Sequence, residues 1–298
     1  MNPGDFEICA YCPNLCRHVC PVAVASGHEA ATPTAMMTVS LLHLRGQVTG
    51  QQAGTAASLC VSCGACTEHC RLHRPVSDLL TELRRATMTA QPPAPLEPIQ
   101  GEGHAVAVEC GTRPWARTLQ QRFDEPVARW VTADHLGSHC LDHPDLFETH
   151  AERLREALGR RLLVVACHQC LEVAKQSSLS VVHLAQLVQP PKQTHCFSPC
   201  GGPQLDLPSA SRRPLCCGRH PNLAENPDIA EHIASTTARF LTQGDLPHQT
   251  RTAVSVPDAA CATRLRHHGA QVTDPIDWLE RDQTPIPNLA EPEAPWLR

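Results

Sequence analysis

The sequence predicts an α+β multidomain protein, in which an α-helical N-terminal domain precedes a tandem α/β repeat. Two four-cysteine motifs flank a segment with helical periodicity, a proline-rich stretch follows, and the order strand, cysteine, helix, strand, cysteine, helix then occurs twice. We expect five segments: a helical domain over 1–90, a linker over 91–102, repeats over 103–190 and 191–282, and an extended tail over 283–298.

Composition limits the classes of function. A formal net charge of −5 gives no reason to expect nucleic acid as a partner. The longest hydrophobic run, Leu162 to Cys167, is too short for a transmembrane segment, and no signal peptide is recognisable. Seventeen cysteines, mostly in close-set groups, favour metal over disulfides and predict a reducing, cytoplasmic location.

The second cysteine motif carries the strongest chemical signal. Cys60, Cys63, Cys66 and Cys70 follow the C-x2-C-x2-C-x3-C spacing that surrounds a cubane iron–sulfur cluster. Two thiolates at this spacing would fit zinc or a disulfide equally well, but the third and fourth fit a [4Fe-4S] cube better.

The first motif is a less regular copy of the second. Its four cysteines are Cys9, Cys12, Cys16 and Cys20, and Pro21 follows the last of them, as in two-cluster ferredoxins. Three residues separate Cys12 from Cys16 where two are usual, and Arg71 takes the place of a proline after Cys70. The chain therefore carries two unequal motifs, which form a pair.

Helices are predicted between and after the motifs. Thr32 and Pro33 supply a cap and a first turn, apolar residues recur at helical spacing from Met36 to Leu44, and a second helix is expected after Pro75. The domain resembles the α-helical dicluster ferredoxins of succinate dehydrogenase, heterodisulfide reductase and glycolate oxidase subunits. Because the fourth cysteine of each motif ligates the other cluster in two-cluster ferredoxins, the resemblance implies two [4Fe-4S] clusters, one held by Cys9, Cys12, Cys16 and Cys70, the other by Cys60, Cys63, Cys66 and Cys20.

The proline-rich stretch and the first repeat follow. Four prolines between Gln91 and Pro98 predict an extended spacer. The first repeat contains the predicted strand Ala105–Cys110, the pair His139-Cys140, a helix that ends at Gly159, a strand from Leu162 that leads into Cys167 and Cys170, and a helix over Val181–Val188.

The second repeat has the same order. Cys196 and Cys200 open it, Cys216-Cys217-Gly218 follows, and a helix begins at Asn226-Pro227. A strand over Thr252–Val256 then leads to Cys261. Because one such unit buries little core alone, we expect the two repeats to pack into one α/β body with cysteines near the strand ends.

This arrangement resembles the CCG-domain iron–sulfur proteins, such as heterodisulfide reductase catalytic subunits and the iron–sulfur subunits of glycolate and lactate dehydrogenases. Carried over, the resemblance implies ligand sets of Cys110, His139, Cys140, Cys167 and Cys170 in repeat one, and Cys200, Cys216, Cys217, Asp258 and Cys261 in repeat two. His139 and Asp258 stand where the family has cysteine, and Leu141 stands for the glycine of Cys-Cys-Gly.

Three interpretations of these ligand sets stay open. The first is that a set holds a further, non-cubane [4Fe-4S] cluster, with a His or Asp side chain as one of its ligands. A second is tetrahedral zinc at Cys110, Cys140, Cys167 and Cys170. The third is a scaffold that has lost its cluster, with the cysteines as small buried hydrophobic residues.

The leading hypothesis for the function is an iron–sulfur electron-transfer subunit. No glycine-rich nucleotide loop is present, so a flavin would sit on a dehydrogenase partner, and electrons would pass to a quinone, a disulfide or another carrier. The alternative is a catalytic subunit that reduces a disulfide at a CCG-type cluster, and a third reading is a binding protein with structural metals. Membrane association would be peripheral, through a partner, and the tail would dock on that partner through Trp296 and Leu297.

Overall fold

A computed structural model describes most of the chain. It covers residues 1–13, 15–89, 92–132, 135–188, 190–191, 195–199, 210–224, 226–243, 254–281 and residue 286, with the side chains of 195–199, 210–215 and 243 left out of the description. Cys200 and, apart from Ile286, the predicted tail lie outside the described residues. No helix in the described ranges is long and apolar enough to cross a membrane.

The N-terminal domain is helical, as the sequence predicts. Thr32 caps the third helix, where its Oγ1 accepts a hydrogen bond of 3.2 Å from the Ala35 amide and Pro33 occupies the first turn. Phe6, Met36 and Leu80 are fully buried in the domain core. The helices are α1 (Pro3–Ala10), α2 (Pro21–Ser26), α3 (Pro33–Leu44), α4 (Gly50–Ser58), α5 (Ala65–His69) and α6 (Val76–Thr87).

The first α/β unit contains a four-stranded parallel sheet. Its strands are β1 (Ala105–Cys110), β2 (Val127–Thr132), β3 (Leu162–Val165) and β4 (Val181–His183), in the order β2-β1-β3-β4. The helices are α7 (Ala116–Gln120), α8 (Pro144–Leu158), α9 (His168–Gln176) and α10 (Leu184–Leu187). Parallel strands end at one edge of the sheet, which brings the segments after β1, β2 and β3 close together.

The second unit has a sheet of the same design. Its strands are β5 (His195–Pro199), β6 (Ala210–Leu215), β7 (Val254–Ser255) and β8 (Val272–Thr273), all parallel and in the order β6-β5-β7-β8. The helices are α11 (Pro227–Gln243), α12 (Ala259–His267) and α13 (Pro275–Arg281). In both sheets the unit's first strand lies between its second and third strands, so the two sheets share one strand order.

The predicted helix over Val181–Val188 is wrong for its first turn. Val181 and Val182 pair with Leu163 and Val164 of β3, so these β-branched residues complete the sheet, and only Leu184–Leu187 is helical. His183 joins the two elements, because its Nδ1 accepts a hydrogen bond of 3.2 Å from the Ala185 amide. Burial lowers the pKa of His183 to about 3, which keeps this cap neutral.

The helical domain packs directly on the α/β body. One apolar cluster joins Cys20, Val61 and Cys63 of the helical domain to Cys216 and Ile233 of the second unit.

A buried arginine joins the helical domain to the first unit. Arg84 of α6 is 3% exposed, and its Nε donates to Asp142 Oδ2 at 3.0 Å. The same guanidinium donates to the Ala57 carbonyl and to Ser62 Oγ, at 3.1 and 3.2 Å. The loop that carries Cys60 and Cys63 is therefore tied to the first α/β unit by a charged side chain, each of whose three nitrogens donates a hydrogen bond.

Candidate metal centres

The second cysteine motif and Cys20 surround one small cavity. Cys60, Cys63 and Cys66 lie on the loop after α4 and on the start of α5, and Cys20 lies at the N-cap of α2. All four line the cavity, whose remaining walls include the apolar side chains of Pro33, Met36, Val61, Val76 and Leu80. The structure thus brings Cys20 to the second motif, the place that the predicted exchange of cysteines requires.

The loop around these thiols has a conformation suited to wrapping a compact group. Ser62 and Gly64 both have positive φ, 47° and 73°, so the chain turns sharply between Cys60 and Cys66. The turn aims the Ser62 amide at Cys60 Sγ, at 3.4 Å. Amide hydrogen bonds of this kind stabilise a cluster-bound thiolate and help to set its reduction potential.

The other three cysteines of the first motif lie near Cys70. The charged groups that act on Cys9 are Arg74, Cys16, Cys70 and Cys12, which include all three other members of the predicted set. Burial raises the pKa of Cys9 to about 11, and the Arg74 guanidinium opposes that rise. Cys12 is exposed, so this set lies nearer the protein surface than the second one.

The donor chemistry of both sets fits iron–sulfur cubes. Burial raises the pKa of Cys20 to about 11 and that of Cys66 to about 12, and it raises the pKa of Cys63 well above its ordinary value. Buried thiolates in such apolar surroundings need a positive partner, which the iron of a cluster would provide. A bound [4Fe-4S] cluster would supply one-electron transfer at each set of four cysteines.

A third group of ligands lies in the first α/β unit. The ligand atoms of Cys110, His135, Cys167 and Cys170 all lie within 4.8 Å of one another, and all four residues are buried. His135 Nδ1 is 3.0 Å from Cys110 Sγ and 3.2 Å from Cys167 Sγ. Hydrogen bonds from Cys167 and Cys170 lower the pKa of Cys110, whereas burial raises the pKa of Cys170.

The sheet edge positions these ligands. Cys110 ends β1, and Cys167 caps α9 just after β3, with its Sγ 3.4 Å from the Cys170 amide. His135 lies three residues beyond the end of β2, in a turn where His135 and Leu136 have φ of 54° and 57°. Three cysteines and one histidine form a donor set suited to tetrahedral zinc, and histidine also replaces cysteine at some iron–sulfur centres.

The predicted repeat-one set is only partly assembled. Cys110, Cys167 and Cys170 come together, but His139 and Cys140 do not belong to the group. Cys140 is fully buried in a core with Trp130 and Phe147, and His139 lines the cavity described below. Sequence reasoning missed His135, because its position depends on β2, a strand that was not predicted.

The repeat-two set is divided between two places. Cys217 Sγ lies 3.0 Å from Cys261 Sγ in one core, while Cys216 packs with Cys20 and Cys63 in another. Asp258 caps α12, since its Oδ1 accepts from the Cys261 amide at 2.8 Å and its Oδ2 accepts from the His168 amide at 2.7 Å. Burial raises the pKa of Asp258 to about 6.

A cavity of about 400 Å³ connects the third group with the Cys217–Cys261 pair. It lies between the helical domain and the α/β body, with Arg84 and Ser62 on one side and residues of both units on the other. His135, Cys167, Cys217 and Cys261 all line it. The C-terminal thiols therefore face a space large enough for a small molecule.

Comparison with known families supports the N-terminal assignment. Residues 5–73 match the family described as a 4Fe-4S dicluster domain. The match spans both four-cysteine motifs and includes Cys9, Cys20, Cys60 and Cys70. No curated protein and no solved structure matches the chain. The N-terminal part therefore carries a 4Fe-4S dicluster domain, which indicates iron–sulfur electron transfer.

Proposed function

We propose that this chain is an iron–sulfur electron-transfer subunit that relays electrons between a flavin dehydrogenase partner and a quinone, a disulfide or another carrier. The observation that carries the proposal is the grouping of eight cysteines of a dicluster domain into two sets, one of which abuts the α/β body.

The two sets are neighbours in the helical domain. Cys16 of the first set lies near enough to Cys20 and Cys66 of the second set to influence the pKa of both. At the other end, the charge of Cys216 acts on Cys63. The cysteines thus run from the exposed Cys12 through the second set to the α/β body, the order expected of a relay.

The α/β body would be the far end of this relay. Its two parallel sheets of identical strand order support the proposed tandem CCG-type repeat, since each sheet places cysteines beyond its strand ends. The Cys110, His135, Cys167 and Cys170 group would hold zinc or a further iron–sulfur cluster. The flavin would belong to the partner.

Metal and sulfide analysis tests the proposal directly. Protein purified without oxygen should contain about eight iron and eight sulfide ions in its N-terminal domain, four of each per cube, and should give a reducible [4Fe-4S] EPR signal. As a control, the Cys140→Ser variant should keep the same iron and sulfide content, because Cys140 is a buried cysteine outside both sets. Anaerobic protein with zinc and no sulfide would refute the proposal.

A catalytic role is the second candidate, and the 400 Å³ cavity favours it. Here the chain itself would reduce a disulfide bound against Cys217. With a strong artificial electron donor, replacing Cys216 and Cys217 together by serine should then abolish disulfide reduction while the N-terminal EPR signal persists. Unchanged turnover in this variant would exclude the catalytic role and leave the relay.

A further inference from the structure

We propose that Cys217 and Cys261 form a redox-active dithiol, which closes reversibly to a disulfide and gives the protein a two-electron site. The geometry of the pair and of the cavity beside it supports this chemistry independently. Its significance beside one-electron clusters rests on the function proposed above.

The two sulfurs are already in contact. Cys217 Sγ and Cys261 Sγ are 3.0 Å apart, and a disulfide bond of about 2.05 Å requires an approach of about 1 Å more. Cys217 lies two residues beyond β6, and Cys261 lies in the first turn of α12.

Reagents can reach the pair. Cys217 and Cys261 are 2% and 8% exposed, and both line the 400 Å³ cavity between the helical domain and the α/β body. A small molecule in this cavity would contact both sulfurs, whereas a protein surface would not fit there. The pair is therefore shielded but accessible, as a reversible thiol site must be.

The backbone separates Cys217 from its neighbour Cys216. Thr237 Oγ1 donates to the Cys216 carbonyl at 2.8 Å, and Gly218 has a φ of 76° with its α-carbon against the Ala230 carbonyl. A Cβ at Gly218 would lie 2.2 Å from that oxygen, so only glycine fits. This anchored turn directs Cys217 to Cys261 and leaves Cys216 against Cys63 of the second cluster set.

The internal disulfide would form by thiol–disulfide exchange with a low-molecular-weight disulfide. The thiolate of one cysteine attacks the external S–S bond and releases one small thiol. The other cysteine attacks the resulting mixed disulfide, forms the internal S–S bond and releases the second small thiol. The two cysteines lose two electrons and two protons in total, and the external disulfide gains them.

Disulfide mapping on the full chain tests the proposal. Anaerobic holoprotein is equilibrated in mixtures of oxidised and reduced glutathione, quenched with acid, alkylated and digested. Peptides that contain Cys217 and Cys261 should be cross-linked at the oxidising end and separately alkylated at the reducing end, with one midpoint. Cys217→Ser and Cys261→Ser should abolish the cross-link, whereas Cys216→Ser should keep it.

Two results would overturn the assignment. One is independent alkylation of both thiols in every mixture. The other is the loss of about four iron and four sulfide ions from Cys217→Ser, which would make Cys217 a ligand of a further cluster. A titratable cross-link in protein that lacks iron and sulfide would instead refute the electron-transfer proposal and leave the dithiol standing.

Discussion

Replacing Cys20 with serine is expected to remove the cluster that Cys60, Cys63 and Cys66 would hold, although Cys20 belongs to the first motif. The reason is spatial, since Cys20 lines the same cavity as those three residues. About four of eight iron ions should be lost, together with one of two EPR signals. Cys63→Ser should give the same result and leave the same remaining signal.

The reciprocal variant supplies the matched control. Cys70→Ser should remove the other cluster, with Cys9→Ser as its counterpart, because Cys70 is among the groups near Cys9 that influence its pKa. A double variant, Cys20→Ser with Cys63→Ser, should lose no more iron than either single variant. If Cys20→Ser eliminated the signal that Cys9→Ser eliminates, each motif would hold its own cluster and the exchange would be refuted.

Replacing His135 with glutamine is expected to remove the metal that the third group would hold, whereas the same change at His139 should not. His135 Nδ1 lies 3.0 Å from Cys110 Sγ, and His139 lines the adjoining cavity without joining the group. Loss of one of four ligands should weaken metal binding by at least about a hundredfold, since even outer-shell changes cost ten- to a hundredfold. Metal content after dialysis against a chelator measures the effect.

The His139 variant also guards against a general effect on folding. Both substitutions replace one imidazole with one amide a few residues apart in the same connection after β2. Equal metal loss in the two variants would contradict the assignment of His135, and metal loss in His139→Gln alone would restore the ligand set that the sequence predicts.

The sequence was most informative where local rules decide the structure. The Thr32-Pro33 start of α3 and the strand from Ala105 to Cys110 were predictable, because capping chemistry and an unbroken apolar run act over a few residues. The helical start at Val181 was mispredicted, because pairing with Leu163 outweighs the apolar periodicity of the segment.

The candidate sites were harder to predict, because they depend on which strands pair and where each side chain packs, as well as on the spacing of residues along the sequence. His135 reaches Cys110 only because β2 runs beside β1, a pairing between residues far apart along the chain. Cys216 and Cys217 are adjacent in sequence and read as one ligand motif. In the fold they enter different cores, because Cys216 packs with Cys20 and Cys63, whereas Cys217 packs with Cys261.

Arg84 joins the helical domain to the first α/β unit through its hydrogen bond to Asp142. This contact affects whether the two halves of the protein can be produced separately. The proline-rich linker marks an obvious place to cut the gene, but a fragment that ends there would keep a buried guanidinium without Asp142. It would also uncover Val61 and Cys63, which now pack against Ile233. The second cluster site would then meet water and oxygen from which the α/β body shields it. The helical domain is a separate segment of the sequence, but we do not expect it to be stable in solution without the α/β body.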